Sequence, residues 1–319
     1  LTFPLMNLAA AFGSLVGVGA STLVSVKLGQ KDYEGANKVL GNVLVLNVVL
    51  GLAFTLVFML LLDPILYFFG ASENTILYDR DYMNVILIGN VITHMYLGLN
   101  AVLRSSGFPK LAMYATLASV VINCVLNPLF IFGFGWGIKG SAWATVISQV
   151  ISLTGQLIHF SRPKELLHFK KGIYRLKSEI VKGILYIGMS PFLMNLCACL
   201  IVILINRGLK EHGGDMAIGA YGIVNRVVFL FIMIIMGFNQ GMQPIAGYNF
   251  GARQYSRVTE VTKLTMKWAI GVATTGFLLC QLFPSVIVRM FTTDPELIEA
   301  AVYGLHIVFA VFPIVGFQM

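Results

Sequence analysis

A stretch near the start of the chain is echoed far downstream at a fixed distance, and that echo limits what the chain can fold into. GVGASTLVSVKLGQKDY, from Gly17 to Tyr33, returns in outline as GMQPIAGYNFGARQY, from Gly241 to Tyr255, at an offset of 222 residues. Gly19 aligns with Gly241, Gly29 with Gly251, Lys31 with Arg253, Tyr33 with Tyr255 and Val39 with Val261, each near the end of an apolar run. Phe69 and Phe291 keep the same offset, each beyond a proline (Pro64, Pro284) and close to an acidic stretch. A chain written twice folds as two similar halves, a build common among secondary transporters.

Each half is made for lipid. Of all residues 57% are hydrophobic and only 11% charged, with a mean hydropathy of +0.83, whereas a soluble domain carries about 25% charge. Windows of about 20 apolar residues, enough for a hydrocarbon core roughly 30 Å thick, fall near 5–26, 39–62, 82–103, 112–133, 140–160, 181–205, 217–247, 264–288 and 298–318. Backbone polar groups in lipid must bond within their own segment, so these nine windows are predicted to be helices. The alternation of an outer-membrane barrel is absent.

Charge placement orients them. If the segments alternate sides, one side holds sixteen of the 22 basic residues, including Lys27, Lys31, Lys38, Arg104, Lys110, Arg253 and the run from Arg162 to Lys182, and that side is expected to be cytoplasmic. The net charge of +8 is then topology, not a nucleic-acid footprint. The stretch RPKELLHFKKGIYRLKSEIVK reads as a solvated cytoplasmic linker, with an amphipathic helix on anionic lipid as the alternative. The domain reading is 1–160 for an N-lobe, 161–180 for the linker and 181–319 for a C-lobe. Cys124, Cys197, Cys199 and Cys280 lie in apolar runs without metal-ligand spacing and read as small apolar core residues. Aligning the copies leaves one helix unmatched before the first copy and further helices unmatched after the second. The expected fold is therefore an all-α polytopic membrane protein with two six-helix lobes about an axis along the membrane normal, nine of the twelve helices being present.

The interiors of the apolar windows hold no Asp or Glu, the usual carriers of a coupling proton or sodium. They offer amides. Asn123 and Asn127 stand four apart on one helix face before Pro128, which frees a carbonyl one turn back. With Thr145 on the next helix they are candidates for a cation or coupling site, the alternative being hydrogen-bond glue between helices. Asn195, Met236, Asn239, Gln240 and Gln243 are candidates to line a substrate cavity, extended by Asn206, Asn225 and Asn249, with Pro128 and Pro244 as hinges. Arg226 is expected to snorkel near the outer interface. His94 and His306, on distant helices, read as satisfied polar residues. No metal site or cofactor is expected.

These stretches resemble the multidrug and toxic compound extrusion (MATE) transporters. The resemblance is carried by VGVGASTLVSVKLGQKDYEGANKVLGN, RSSGFPKLAMYATLASVVINCVLNPLFIFGFGWGIKGSAWATVISQ, GMSPFLMNL and GAYGIVNRVVFLFIMIIMGFNQGMQPIAGYNFGARQYSRV, which extend over nearly all of the chain. It implies two six-helix lobes around a central cavity, exporting cationic amphiphiles in exchange for H+ or Na+. The chain is expected in the inner membrane as a monomer, with small cationic substrates and membrane lipid as its partners. The resemblance also implies an N-lobe cation site in which an Asn and an Asp four apart fall on Asn123 and Asn127 and a Thr on Thr145. One carboxylate has thus become an amide, and the site's further Asp would precede Leu1. Where some relatives carry a Glu in the seventh helix this chain reads Cys199. A lipid-linked glycan flippase of the wider superfamily is the alternative, but it would want a more cationic cavity. An integral membrane enzyme would need a motif such as H-E-x-x-H or G-x-S-x-G, and neither occurs.

Overall fold

The computed structural model describes residues 3–68, 73 and 75–318, and among them there is no strand. The helices are α1 (Phe3–Gly29), α2 (Tyr33–Leu60), α3 (Leu62–Phe68), α4 (Ile76–Ser105), α5 (Pro109–Pro128), α6 (Gly137–Phe160), α7 (Ser178–Gly251), α8 (Tyr255–Leu282), α9 (Pro284–Arg289), α10 (Pro295–Ala310) and α11 (Phe312–Gln318). Every apolar window is helical. Six segments are long and apolar enough to cross a membrane alone, and α10 with α11, bent by 43° at their junction, makes a seventh. α6 and α8 have spanning length, with 24 and 28 residues, but are more polar.

The repeat is reproduced in the backbone. α2 and α8 are both 28 residues long and begin and end at equivalent positions. Before each of them the chain turns through a residue of positive φ, Lys31 at 60° and Arg253 at 59°, the two non-glycine residues of that kind among those described. The hydrogen bonds match as well. Lys31 N–H donates to the Leu28 carbonyl at 3.0 Å and Asp32 N–H to that of Lys27 at 2.9 Å, while Arg253 donates to Phe250 at 3.0 Å and Gln254 to Asn249 at 2.8 Å. This is the left-handed closure that ends many helices, here without the usual glycine. Phe69, the other marker of the repeat, lies outside the described residues.

The residues group into two compact units, Leu1–Cys197 with Phe250–Arg253, and Ala198–Asn249 with Gln254–Met319. In the first unit α4 is the central helix, packed by α1, α2, α5 and α6. Its core includes the fully buried Val16, Ala20, Val39, Leu40, Leu99 and Ile184. Ile184 is there because the start of α7 runs along α1 at very short range. A Cβ on Gly19 would overlap the Ile184 carbonyl, and one on Gly188 the Leu15 carbonyl. Small residues of this kind let helices in lipid approach backbone to backbone.

The linker is exposed along most of its length, but it is anchored to the helices. Residues 161–177 form no helix, and Leu167 and Ile173 are buried. Two buried asparagines of α2 hold the segment by its backbone. Asn37 accepts from His168 N–H at 2.9 Å and donates to the Leu166 carbonyl at 3.2 Å. Asn42 accepts from Lys177 N–H at 2.9 Å and donates to the carbonyls of Arg175 at 3.2 Å and Ile173 at 3.3 Å. A segment with no ladder of its own must find partners elsewhere, and here α2 supplies them. The first compact unit runs through the linker to Cys197.

In the second unit Phe231, Phe309 and Phe312 pack together, with centroids 4.4 to 6.1 Å apart, against Ala269, Ala273 and Leu305. The hinge expected at Pro244 is not where the backbone breaks. Within α7 the dihedrals leave the helical region at Gly214 (φ 61°, ψ −160°) and are helical through Pro244. The windows 181–205 and 217–247 are thus joined by one glycine, not by a loop. Glycine reaches that region without a Cβ penalty.

Candidate functional site

Asn123 and Asn127 sit on one face of α5 because they are one helical turn apart. Asn127 Nδ2 donates to Asn123 Oδ1 at 2.8 Å, and Asn123 Nδ2 donates to Thr145 Oγ1 at 3.2 Å. Thr145 Oγ1 donates in turn to the Ser141 carbonyl at 3.1 Å. The three residues proposed from sequence are therefore one directional chain of hydrogen bonds from α5 to α6. It leaves one group over. Asn127 Oδ1 is buried and has no hydrogen-bond partner among the described residues. An unmatched acceptor at the end of a satisfied chain suits a guest that donates, such as a protonated carboxyl, or a cation that takes oxygen ligands. All three side chains are neutral, so they can orient or coordinate a charge without supplying one.

Beyond Pro128, α5 runs into a π-helical turn, Leu129–Gly133. Proline removes one backbone donor, and the wider turn is closed by Phe134 N–H donating to the Leu129 carbonyl at 3.0 Å. The hinge expected at Pro128 is thus a change of helix type just after it, a feature frequent at functional sites. One turn along α6, Thr93 Oγ1 of α4 donates to Gln149 Oε1 at 2.5 Å.

The cavity candidates divide. Asn239 lines a small, partly open cavity of about 50 Å³ together with Met242, Thr262, Thr265, Met266 and Ala269. That volume suits a water or two, not a drug-sized molecule, which needs roughly 300 Å³ or more. Met236 and Gln240 are exposed and Gln243 and Pro244 half-buried, and none of them lines this cavity. Asn195 belongs to the first compact unit, exposed, its Nδ2 donating to the Pro191 carbonyl one turn back at 2.8 Å. The side chain of Asn206 lies outside the described residues. Asn249 is buried and bonds the Ile245 carbonyl at 2.8 Å, and Arg226 is exposed. Thr262 and Thr265 were not singled out from sequence. Both donate to their own helix, to Val258 and Val261, as threonines on any spanning helix do.

His306 is satisfied as expected, Nδ1 standing 2.5 Å from Gln281 Oε1 while Gln281 Nε2 donates to the His306 carbonyl at 2.9 Å. The cysteines are free. Cys280 is buried and Cys199 half-buried, but Cys124 and Cys197 are exposed, so those two are surface residues of their helices and not core residues. No cluster of His, Cys, Asp or Glu able to hold a metal occurs among the described residues.

Comparison with known proteins gives a consistent result. The family profile MatE matches residues 1–129 and 187–319. The chain is 32% identical over 314 residues to the multidrug export protein MepA of Staphylococcus aureus (strain N315), covering 97% of this chain and 68% of that protein. It is 31% identical to MepA of Staphylococcus haemolyticus (strain JCSC1435), with 96% and 68% covered. Among solved structures, a MATE transporter in its bent conformation superposes with a TM-score of 0.91 over 99% of this chain and 71% of its own length, at 23% identity. An outward-facing multidrug resistance MATE transporter of the MOP superfamily superposes at 0.90, over 100% and 70%, at 24% identity.

Proposed function

The chain belongs to the MatE family, and from that premise we propose that it is a secondary antiporter exporting cationic or amphiphilic small molecules in exchange for protons or sodium. A multi-pass membrane protein of this family is a transporter and not an enzyme. The observation that carries the finer reading is the chain Asn127–Asn123–Thr145 with its one unmatched acceptor, Asn127 Oδ1, inside α5 and α6. A coupling ion needs oxygen ligands that are pre-oriented yet unsatisfied, and this cluster has both properties. The relatives named as multidrug exporters support the substrate class.

Gradient-driven efflux of a cationic dye from vesicles holding the protein tests it. Efflux is expected to stop when both the proton and the sodium gradients are collapsed. Dye movement indifferent to both gradients, or absent, would sink the antiporter reading. Asn127→Leu keeps volume but removes the acceptor, and efflux is expected to fall about tenfold, equivalent to about 1.4 kcal/mol of lost interaction, with membrane insertion intact. Asn127→Asp is expected to retain efflux with an altered pH dependence. Unchanged efflux in the Leu variant would make Asn127 packing glue.

A further inference from the structure

The first copy of the repeat carries a polar pair that the second copy lacks. Asn47 on α2 and His94 on α4 are both fully buried, at 0% exposure. Asn47 lies directly over Gly98, and His94 Nδ1 stands 3.5 Å from where a Gly51 Cβ would be. The pairings 47 with 98 and 51 with 94 place α2 and α4 antiparallel, with each polar side chain covering the other helix's glycine. Asn47 and His94 therefore occupy neighbouring rungs of one seam, about 6 Å apart along the axis.

Their hydrogen bonding is incomplete in complementary ways. His94 Nε2 is 3.0 Å from the Ala9 carbonyl, which only accepts, so in the neutral ring Nε2 carries the hydrogen and Nδ1 a lone pair. That Nδ1, and both Nδ2 and Oδ1 of Asn47, have no partner among the described residues. Burying such groups without partners destabilises the fold. The seam does not need them. At the repeat offset Ala269 replaces Asn47, Ala273 replaces Gly51 and Gly316 replaces His94. Ala269 and Ala273 are 1% and 0% exposed, and a Cβ on Gly316 would crowd both. The second copy closes the same seam with small apolar residues alone.

We propose that Asn47 and His94 form a proton-binding pair in the α2–α4 seam, loaded when the seam opens. In the closed seam the two groups stand unbonded, and opening frees the Asn47 amide to turn its N–H toward the Nδ1 lone pair of the neutral ring. A proton delivered by hydronium forms an Nδ1–H bond and leaves water behind. The amide then turns so that Oδ1 accepts from it, and no electrons are transferred. An asparagine is the side chain that can serve both states, because it offers a donor and an acceptor from one rotor. Ala9 and Gly13 of α1 and Gly51 and Phe54 of α2 surround the ring. No titratable side chain is recorded facing it among the described residues. On α1 such a group is Lys27, on α2 Tyr33, Glu34 and Lys38, all toward the helix ends, and on α4 itself the nearest are Tyr82 and Tyr96. With no counter-charge in the closed seam, a proton on His94 favours the conformer in which water reaches it.

Its role as a coupling group rests on the antiporter reading, whereas proton binding itself does not. Acid–base titration of the purified protein is expected to show one proton fewer taken up by His94→Gln than by wild type between about pH 8 and about pH 4.5. Gln still donates to Ala9. Equal uptake would overturn the proposal. Asn47→Ala installs the residue of the second copy and guards against a misfolded His94 variant. It is expected to keep the proton count while moving its midpoint, and an unmoved midpoint would remove Asn47 from the pair. In vesicles, His94→Gln is expected to flatten the pH dependence of dye efflux with the KM for dye unchanged within about twofold. Wild-type protein that fails to move dye would end the antiporter reading and leave the titration to decide the pair.

Discussion

The turn before α2 and the turn before α8 have the same backbone and different chemistry. Both pass through a left-handed cation, Lys31 or Arg253, and both close with the same two hydrogen bonds. Around the first, Asp32 accepts from Gly35 N–H at 2.8 Å and pairs with Lys27 at 2.9 Å, and Asn37 and Asn42 grip the linker. At the equivalent places the second has Gln254, which makes no side-chain cap, and Thr259 and Leu264, both exposed. Shape is thus set by the ends of the helices and tolerates many side chains. Task is set by a few polar residues that one copy has and the other lacks.

The largest consequence concerns Asn42. Replacing it by Ala removes three bonds to the linker backbone and is expected to destabilise the protein by about 2–3 kcal/mol, with new protease cleavage within 161–177. Leu264→Ala, its repeat partner, is exposed and is expected to cost about 0.5 kcal/mol or less. Unfolding in detergent micelles compares the two, and equal losses would erase the difference between the copies.

Next is the shared feature. A non-glycine residue held left-handed costs about 1 kcal/mol, so Lys31→Gly and Arg253→Gly are each expected to raise stability by up to about that much, and by similar amounts. Opposite signs would break the equivalence of the turns.

The smallest effect is that of acid on Asp32. The Lys27 ammonium bonded to it, then the Gly35 N–H, hold its carboxyl below the usual carboxylate range. A depressed folded value means that its stabilisation is complete above the unfolded pKa of about 3.9 and is lost as pH falls through the folded value. The side chain is 39% exposed, and solvent screening keeps the effect to about 0.5 kcal/mol or less. Asp32→Asn is expected to abolish that acid-dependent part of the melting curve, and a variant with the wild-type acid limb would show that Asp32 contributes nothing beyond its cap.

What was legible in the sequence follows from the range of the interactions. The helical apolar windows, the repeat and the chain Asn123–Asn127–Thr145 could be read because hydropathy, fixed offset and one-turn spacing are local signals. The grip of Asn37 and Asn42 could not, since their partners are backbone atoms about 130 residues away that leave no side-chain signature. Gly214 lies in the polar gap between two apolar windows, where composition does not single it out from its neighbours. The Asn47–His94 pair was half visible, because His94 is rare inside an apolar run while Asn47 gains meaning only from the helix it faces.

The grip on the linker has a mechanical consequence. A free chain of the linker's length would let its ends wander over roughly 20–25 Å, and α7 would then hang from the first helices as if on a leash. Held at Leu166, His168, Ile173, Arg175 and Lys177, the same residues act as a stay of fixed length. Slack is removed before α7 begins, so any displacement of α2 is handed to Ser178 at once instead of being absorbed on the way.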